Sequence, residues 1–230
     1  MLSIVTMIES ASIMLLSVLA VSTVHSRFAG RFWLGGVLLG LLFSVVGVII
    51  MENSVEIVPG IRTDPRAAVV VLSATFGGPL SVAITATVLA FARMIYGGAG
   101  AVPGATYILG VGIVAGTVWY WWYRIAYNQL TFRYILIQAL IAGLVPAGIL
   151  VFVSKAPWEI FLLSNALSTP TNFFATLLMG TMVVRDLDRA AAIKDQEEKQ
   201  AQIDTISTNA PVVLFQITRK PNGKPQFTYV

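Results

Sequence analysis

Apolar residues fill most of the chain in runs that are separated by short polar or glycine-rich stretches. Helices of about 20 apolar residues cross the hydrocarbon core of a bilayer, because a helix satisfies its own backbone hydrogen bonds there. The pattern therefore predicts an all-α polytopic membrane protein with about seven spans. The apolar runs lie at residues 3–25, 32–51, 66–76, 80–96, 105–123, 133–153 and 158–184.

The two short runs in the middle of the chain are joined by Gly77-Gly78-Pro79. Glycine and proline together interrupt a helix. The two short runs therefore form either one broken span or two short helices that meet at a tight turn. The first alternative gives six spans and the second gives seven. Basic residues collect on the cytoplasmic side of membrane proteins. The loop charges fit this rule better with seven spans, an external N-terminus and a cytoplasmic C-terminus. Arg66 and Arg93 then share the outer face, whereas six spans would separate them.

The composition supports a membrane location and narrows the possible chemistry. Hydrophobic residues make up 57% of the chain and charged residues 11%, with a mean hydropathy of +0.80, whereas a soluble domain has about 25% charged residues. The lack of cysteine and the single histidine, His25, exclude disulfides, thiol catalysis and histidine-based metal sites. The net charge of +4 is too small for a nucleic-acid surface. No catalytic motif is present, so we expect this chain to be neither an enzyme nor a carrier of a metal or cofactor.

Charged residues are concentrated at the C-terminal end of the sequence. Residues 1–184 contain 13 of the 26 Asp, Glu, Lys and Arg residues, and residues 185–230 contain the other 13. This contrast predicts a membrane domain over 1–184. Residues 185–208 lack Gly and Pro and are rich in helix formers, which predicts a linker helix. Two strands joined by an Asn-Gly turn are predicted within 209–230. Because two strands alone do not form a stable domain, we expect the native protein to continue beyond this point.

Arg66 and Arg93 are the strongest candidates for a functional site. Charged residues next to apolar segments are energetically costly and commonly functional. Two guanidinium groups on one face suit a small anion, because arginine presents a planar fork to a carboxylate or phosphate. Interfacial snorkelling is the alternative. Asp64 either binds the ligand or orients an arginine through a salt bridge. Arg62 lies further from the apolar run and is interpreted as an interfacial anchor.

Four further residues are candidates for the same ligand-binding site. Gly97 and Gly98 open a loop with almost no side chains, where backbone N–H groups can approach a ligand, unless the loop is only a tight connection. Tyr107 supplies either a hydroxyl to the site or a ring to an interfacial aromatic belt. Asn172, close to Pro170 in the last apolar run, either reaches the site or hydrogen-bonds to a neighbouring helix.

These motifs, in this order and spacing, resemble the membrane sensor of LytS/YhcK-type receptors, the 5TMR-LYT domain. The resemblance covers residues 30–185 and rests on Asp64-Pro65-Arg66, on Gly77-Gly78-Pro79, and on Arg93 followed by Gly97-Gly98. Asp64 stands where many members carry Asn, and Pro65 where Thr is common, which leaves the identity of the ligand open. The short helix pair also resembles the substrate-binding subunits of vitamin importers, which implies an outward-facing small-molecule pocket.

The resemblance implies a receptor in the bacterial inner membrane that binds a small anion, such as a carboxylate, on its outer face. The tail resembles the start of a PAS domain, and family members join such sensors to GGDEF diguanylate cyclases or to histidine kinases. We therefore expect a homodimer that signals to a cytoplasmic output module, with the cyclic-di-GMP type favoured. A small-molecule transporter, or the substrate-binding subunit of one, is the alternative function. A membrane enzyme is disfavoured, because no acid–base or nucleophile set is present.

Overall fold

The computed structural model describes residues 13, 17–28, 31–58, 61–126, 130–153, 157–209, 215–219 and 225–229. The described helices are α1 (17–28), α2 (Phe32–Glu52), α3 (Arg66–Tyr96), α4 (Ala101–Ala126), α5 (Phe132–Val153) and α6 (Trp158–Asn209). The described strands are β1 (Val55–Val58), β2 (Ile61–Thr63), β3 (Phe215–Arg219) and β4 (Pro225–Tyr229). β1 pairs with β2 and β3 pairs with β4, both antiparallel. The chain divides into two compact units, Met1–Leu187 and Asp188–Val230.

α3 folds back on itself at Gly78. This residue has φ 69° and ψ −164°, outside the helical region. Val70 and Ala86 both lie beside Gly112 of α4, because a Cβ added at Gly112 would be 2.9 Å from Ala86 Cβ and 3.7 Å from Val70 Cγ1. In a straight helix Val70 and Ala86 would be about 24 Å apart. The predicted pair of short helices joined by Gly77-Gly78-Pro79 is therefore confirmed.

Five described helices, α2 to α6, are long and apolar enough to cross a membrane. The prediction of seven spans is not supported. The first half of α3, residues 66–77, rises only about 18 Å, which is less than the hydrocarbon core of about 30 Å. The two short runs therefore form one hairpin within α3 rather than two independent spans. Most of the first apolar run, 3–25, lies outside the described residues.

Glycines of α2 bring this helix close to the second half of α3, residues 79–96. A Cβ at Gly36 would lie 3.5 Å from Leu80 Cβ, and one at Gly47 would lie 2.7 Å from Leu89 Cδ1. Residue numbers rise together along both helices, so α2 runs parallel to residues 79–96. Small residues commonly allow such close backbone approach between membrane helices.

α4 runs antiparallel to the same half of α3. Gly116 packs against Val82 and Gly104 packs against Arg93, where an added Cβ would lie 3.3 Å and 3.0 Å from the respective side chains. Gly78 and Arg93 mark opposite ends of this part of the helix bundle. We call the end near Arg93 the arginine end and the end near Gly78 the glycine end.

The first half of α3 is the centre of the first unit. Every residue from Arg66 to Gly78 is buried, as expected for a helix that other helices enclose on all sides. Large apolar side chains of the outer helices are exposed instead, among them Ile113, Phe152 and Leu178. An extended exposed apolar surface of this kind is typical of contact with lipid.

α6 continues without interruption from the last apolar run into the charged tail. The predicted last span and the predicted linker helix of 185–208 lie in this one helix, Trp158–Asn209. β3 and β4 form an antiparallel hairpin, with Phe215 opposite Tyr229, in the region where two strands were predicted. The hairpin turn itself, 220–224, lies outside the described residues, and the start of a PAS domain remains a prediction.

Candidate ligand-binding site

Asp64 and Arg66 form a buried ion pair at the first turn of α3. Asp64 Oδ1 accepts hydrogen bonds from the Arg66 backbone N–H at 3.1 Å and from Arg66 Nε at 2.6 Å. Asp64 Oδ2 pairs with Arg66 Nη2. The carboxylate therefore satisfies a free N–H at the helix start and also holds the guanidinium through two nitrogens. Of the two roles that the sequence allowed for Asp64, the structure supports the orientation of an arginine.

The third guanidinium nitrogen of Arg66 has no hydrogen-bond partner among the described residues. Arg66 Nη1 is buried, and the residue as a whole is 2% exposed. A buried donor without an acceptor destabilises a structure by about 1–3 kcal/mol, and by more when it is charged. An oxygen atom of a bound molecule would remove this penalty. Nη1 therefore marks the position where a ligand oxygen is most favourable.

Arg93 reaches the same region from the second half of α3. Because α3 folds back at Gly78, Arg66 and Arg93 both lie at the arginine end. Arg93 is 4% exposed, and its Nη1 donates a hydrogen bond of 3.0 Å to the Gly97 carbonyl oxygen. A Cβ at Gly104 would lie 3.0 Å from Arg93 Nε and 3.1 Å from Arg93 Cγ. Gly104 thus leaves the space in which the Arg93 side chain lies.

Tyr107 lies near both arginines. It lies on α4, one helical turn after Gly104, and it interacts electrostatically with Arg66, Asp64 and Arg93. The ring is partly buried. The structure therefore places Asp64, Arg66, Arg93 and Tyr107 together at the arginine end, and the choice between a site hydroxyl and an aromatic belt for Tyr107 remains open as predicted.

The loop between α3 and α4 is built around two glycines with positive φ, 67° at Gly97 and 82° at Gly98. Other residues rarely adopt this conformation, so the loop geometry requires both glycines. The Gly97 N–H donates to the Met94 carbonyl at 3.2 Å. The prediction that its N–H approaches a ligand therefore needs correction, because Gly97 presents its carbonyl oxygen to Arg93 instead. Gly98 is exposed in the same loop, and its contact with a ligand remains a prediction.

Asn172 connects α6 to the first turn of α3. It is 3% exposed, and its Oδ1 accepts a hydrogen bond of 3.1 Å from the Ala68 backbone N–H. Its Nδ2 donates to the Ser168 carbonyl at 2.9 Å. Of the two roles considered for Asn172, a hydrogen bond to a neighbouring helix is confirmed. Ala68, to which Asn172 is bonded, lies two residues after Arg66. A direct contact of Asn172 with the ligand remains a prediction.

Sequence reasoning missed two contacts at the arginine end. The Tyr96 hydroxyl donates to the Glu52 carboxylate and so links the ends of α3 and α2. The role of Gly104 was also missed, since a glycine in a glycine-rich stretch gives no sign of which side chain it accommodates. Arg62 belongs to β2, but its side chain lies outside the described part of the structure.

The fold and this cluster define a polytopic helical membrane protein with a charged site enclosed at one end of its helix bundle. The family model described as the 5TMR of 5TMR-LYT matches residues 25–186. The chain therefore belongs to the 5TMR-LYT family, whose domain is a membrane sensor without catalytic activity. The resemblance drawn from the arginine and glycine motifs is confirmed. No curated protein and no solved structure was found to match, so the resemblance to vitamin importers has no support.

Proposed function

We propose that this chain is a membrane receptor that binds a small monoanion, of the carboxylate class, between Arg66 and Arg93. The observation that carries this proposal is the buried Arg66 Nη1, which lacks a partner among the described residues. Asp64 occupies the other two nitrogens of the same guanidinium. A ligand oxygen is the acceptor that this arrangement lacks.

The charge of the site favours a ligand with a single negative charge. Asp64 balances one of the two arginines, which leaves one net positive charge among these three buried side chains. Opposite charges enclosed together in a poorly polarisable site attract each other strongly. A monoanion brings the sum over these three side chains and the ligand to zero, whereas a dianion makes this sum negative.

Arg93 provides the second contact by changing its partner. Its Nη1 is bonded to the Gly97 carbonyl oxygen, which is neutral. A carboxylate accepts a stronger, charge-assisted hydrogen bond from arginine. Ligand binding therefore draws Arg93 Nη1 away from Gly97 and releases the loop at residues 97–100. Tyr107, which interacts with both arginines, adds its hydroxyl to the ligand.

Binding produces a signal only when two arrangements of the helices bind the ligand with unequal affinity. We place the arginine end outside the cell and the charged tail in the cytoplasm of a bacterial cell. The uninterrupted course of α6 from Trp158 to Asn209 supports transmission along this helix. The output module is a GGDEF diguanylate cyclase, or else a histidine kinase, and the receptor acts as a homodimer.

The binding site is tested with the full chain in lipid nanodiscs. Equilibrium dialysis measures the binding of ¹⁴C-labelled acetate, lactate and succinate. We expect saturable binding of at least one monocarboxylate and weaker binding of succinate. Arg66→Lys and Arg93→Lys keep the charge but remove the planar fork, and each should weaken binding about tenfold, or about 1.4 kcal/mol.

Arg133→Lys is the matched control, because Arg133 is exposed and lies at the start of α5. It should bind acetate and lactate as the wild type does. Equal affinities in the wild type, Arg66→Lys and Arg93→Lys would overturn the assignment of the site. If the wild type binds none of the three acids, the proposed carboxylate class of ligand is wrong.

Transport of the same ligand is the alternative function. A transport subunit does not require a helix that continues far beyond the membrane, as α6 does. Uptake of ¹⁴C-labelled acetate into sealed vesicles that contain the protein distinguishes the two functions. We expect no uptake above that of protein-free vesicles, and accumulation that depends on Arg66 would favour the transporter.

A further inference from the structure

The first turn of α3 is held by two side chains that come from different parts of the chain. The Arg66 N–H is bonded to Asp64, two residues earlier, at 3.1 Å. The Ala68 N–H is shared between the Pro65 carbonyl and the Asn172 side chain, at 3.1 Å each. The first N–H groups of a helix have no partner within the helix and depend on such acceptors. Asn172 of α6 is therefore hydrogen-bonded to the first turn of α3 at Ala68, whereas Asp64 holds the backbone N–H and the guanidinium of Arg66.

Asn172 lies in a turn of α6 where the helix is weakened. Pro170 lies within the helix and cannot donate a backbone hydrogen bond, so one carbonyl in the preceding turn loses its usual partner. The two residues that follow the proline donate side-chain hydrogen bonds to carbonyls of the preceding turn, Thr171 to Leu167 at 2.7 Å and Asn172 to Ser168 at 2.9 Å. Helices bend most readily at such places.

α6 is packed closely against its neighbours both before and after this point. A Cβ at Gly143 of α5 would lie 3.1 Å from the Thr169 carbonyl oxygen. A Cβ at Gly180 of α6 would lie 2.7 Å from Ile135 Cγ2 and 3.6 Å from Leu72 Cδ2. Close packing of this kind transmits a shift of α3 to α6, because such contacts have little room to absorb it.

We infer that Asn172 is the positioning residue that couples occupation of the arginine site to α6. When a ligand pulls on Arg66, the first turn of α3 moves, and the hydrogen bond from the Ala68 N–H to Asn172 carries this movement to the weakened turn at Pro170. α6 then changes its bend or rotation, and the change continues along the helix beyond the membrane. This inference rests on the proposed ligand site at Arg66, and of the two roles considered for Asn172 it takes the hydrogen bond to a neighbouring helix.

The test uses a label on the far part of α6. The sequence contains no cysteine, so Ile193→Cys introduces a single attachment site for a nitroxide on an exposed position of the helix. Electron paramagnetic resonance of the full chain in nanodiscs reports the label before and after addition of acetate. Equilibrium dialysis with ¹⁴C-labelled acetate measures binding to the same samples.

Asn172→Leu keeps the branching and the number of non-hydrogen atoms of the side chain and removes both of its hydrogen bonds. We expect its acetate dissociation constant to change by less than about threefold, while the spectral response of the label falls at least about fivefold. Asn172→Asp keeps an acceptor for the Ala68 N–H and should restore most of the response. Asn165→Leu is the matched control, because among the described residues Asn165 bonds only to the Phe161 carbonyl of its own helix, and it should respond as the wild type does.

A second arm needs no ligand. Arg66→Met disturbs the first turn of α3 directly and should alter the label spectrum in the wild-type background but not together with Asn172→Leu. A full response of Asn172→Leu to either acetate or Arg66→Met would overturn the coupling role. If the wild type does not bind acetate, the Arg66→Met arm alone decides whether Asn172 couples the two helices, and the ligand class is decided separately by the binding of acetate, lactate and succinate.

Discussion

The ion pair between Asp64 and Arg66 is the part of the site whose loss has the most specific consequences. Asp64→Asn keeps the size of the side chain and an oxygen that can accept from the Arg66 backbone N–H. It removes the negative charge, and its amide N–H₂ would face Arg66 Nη2, which is also a donor. The variant therefore leaves a buried guanidinium without its counter-charge in a position where both side chains are at most 3% exposed.

The size of the effect follows from this burial. Removing one partner of a buried ion pair destabilises a protein by about 3–5 kcal/mol, because the remaining charge is uncompensated. Since the asparagine oxygen keeps one hydrogen bond, we expect a value near the lower limit, about 3 kcal/mol. For a chain of this length, the midpoint of thermal unfolding should fall by about 6–12 °C.

Tryptophan fluorescence during heating in nanodiscs measures the midpoint. Asp195→Asn is the control, because Asp195 pairs with Lys199 at 2.6 Å but both side chains are more than 60% exposed. Exposed pairs contribute about 0–1 kcal/mol, so the control should change the midpoint little. Equal unfolding midpoints for Asp64→Asn and Asp195→Asn would show that the buried ion pair stabilises the protein no more than the exposed pair does.

The same variant also tests the charge of the ligand. Without the Asp64 carboxylate, the site carries two positive charges rather than one. We therefore expect Asp64→Asn to bind succinate more tightly relative to acetate, by about tenfold, or about 1.4 kcal/mol. An unchanged preference for acetate over succinate would refute the argument that charge balance selects a monoanion.

Three further substitutions test the backbone and the neighbours of the arginines. Gly104→Ala places a Cβ 3.0 Å from Arg93 Nε and 3.1 Å from Arg93 Cγ, and it should weaken acetate binding about tenfold in equilibrium dialysis by displacing that side chain; unchanged affinity would contradict this packing. Gly78→Ala should lower the unfolding midpoint because its φ is 69°, at a penalty of about 1–2 kcal/mol, whereas Gly148→Ala, with nothing within 4 Å of the added Cβ, should be neutral or stabilising. Tyr107→Phe removes one hydroxyl from the site and should weaken acetate binding about threefold to tenfold without changing the unfolding midpoint; a loss of stability with intact binding would assign that hydroxyl to packing.

The membrane helices and the turn in the middle of the chain were predictable from local patterns. Long apolar runs with few charges specify helices in lipid, and Gly77-Gly78-Pro79 specifies a break because glycine permits positive φ and proline lacks an N–H. Because this break reverses the direction of the chain, it also places Arg66 and Arg93 at the same end of the α3 hairpin. The number of spans was not predictable in the same way, because it depends on how deep the short first half of α3 lies.

The contacts between distant residues were not predictable, and the reason is physical. In a soluble protein, the alternation of apolar and polar residues shows which face of a helix is buried. In a membrane helix both the lipid-facing and the buried sides are apolar, so this signal is largely lost. The sequence thus gives no rotation for α4 and α6 about their axes, and no indication that Gly104 faces Arg93.

The amino-acid sequence alone determined the class of protein, the helical hairpin of α3 and the pair of arginines, because each depends on residue types that are close in the chain. Only the tertiary structure showed that Asp64 pairs with Nε and Nη2 of Arg66 and leaves Nη1 without a partner among the described residues. It also decided that Asn172 bonds to the Ala68 N–H, 104 residues away. Such bonds depend on the rotation and depth of whole helices, which close packing between small residues sets only once all the helices are assembled.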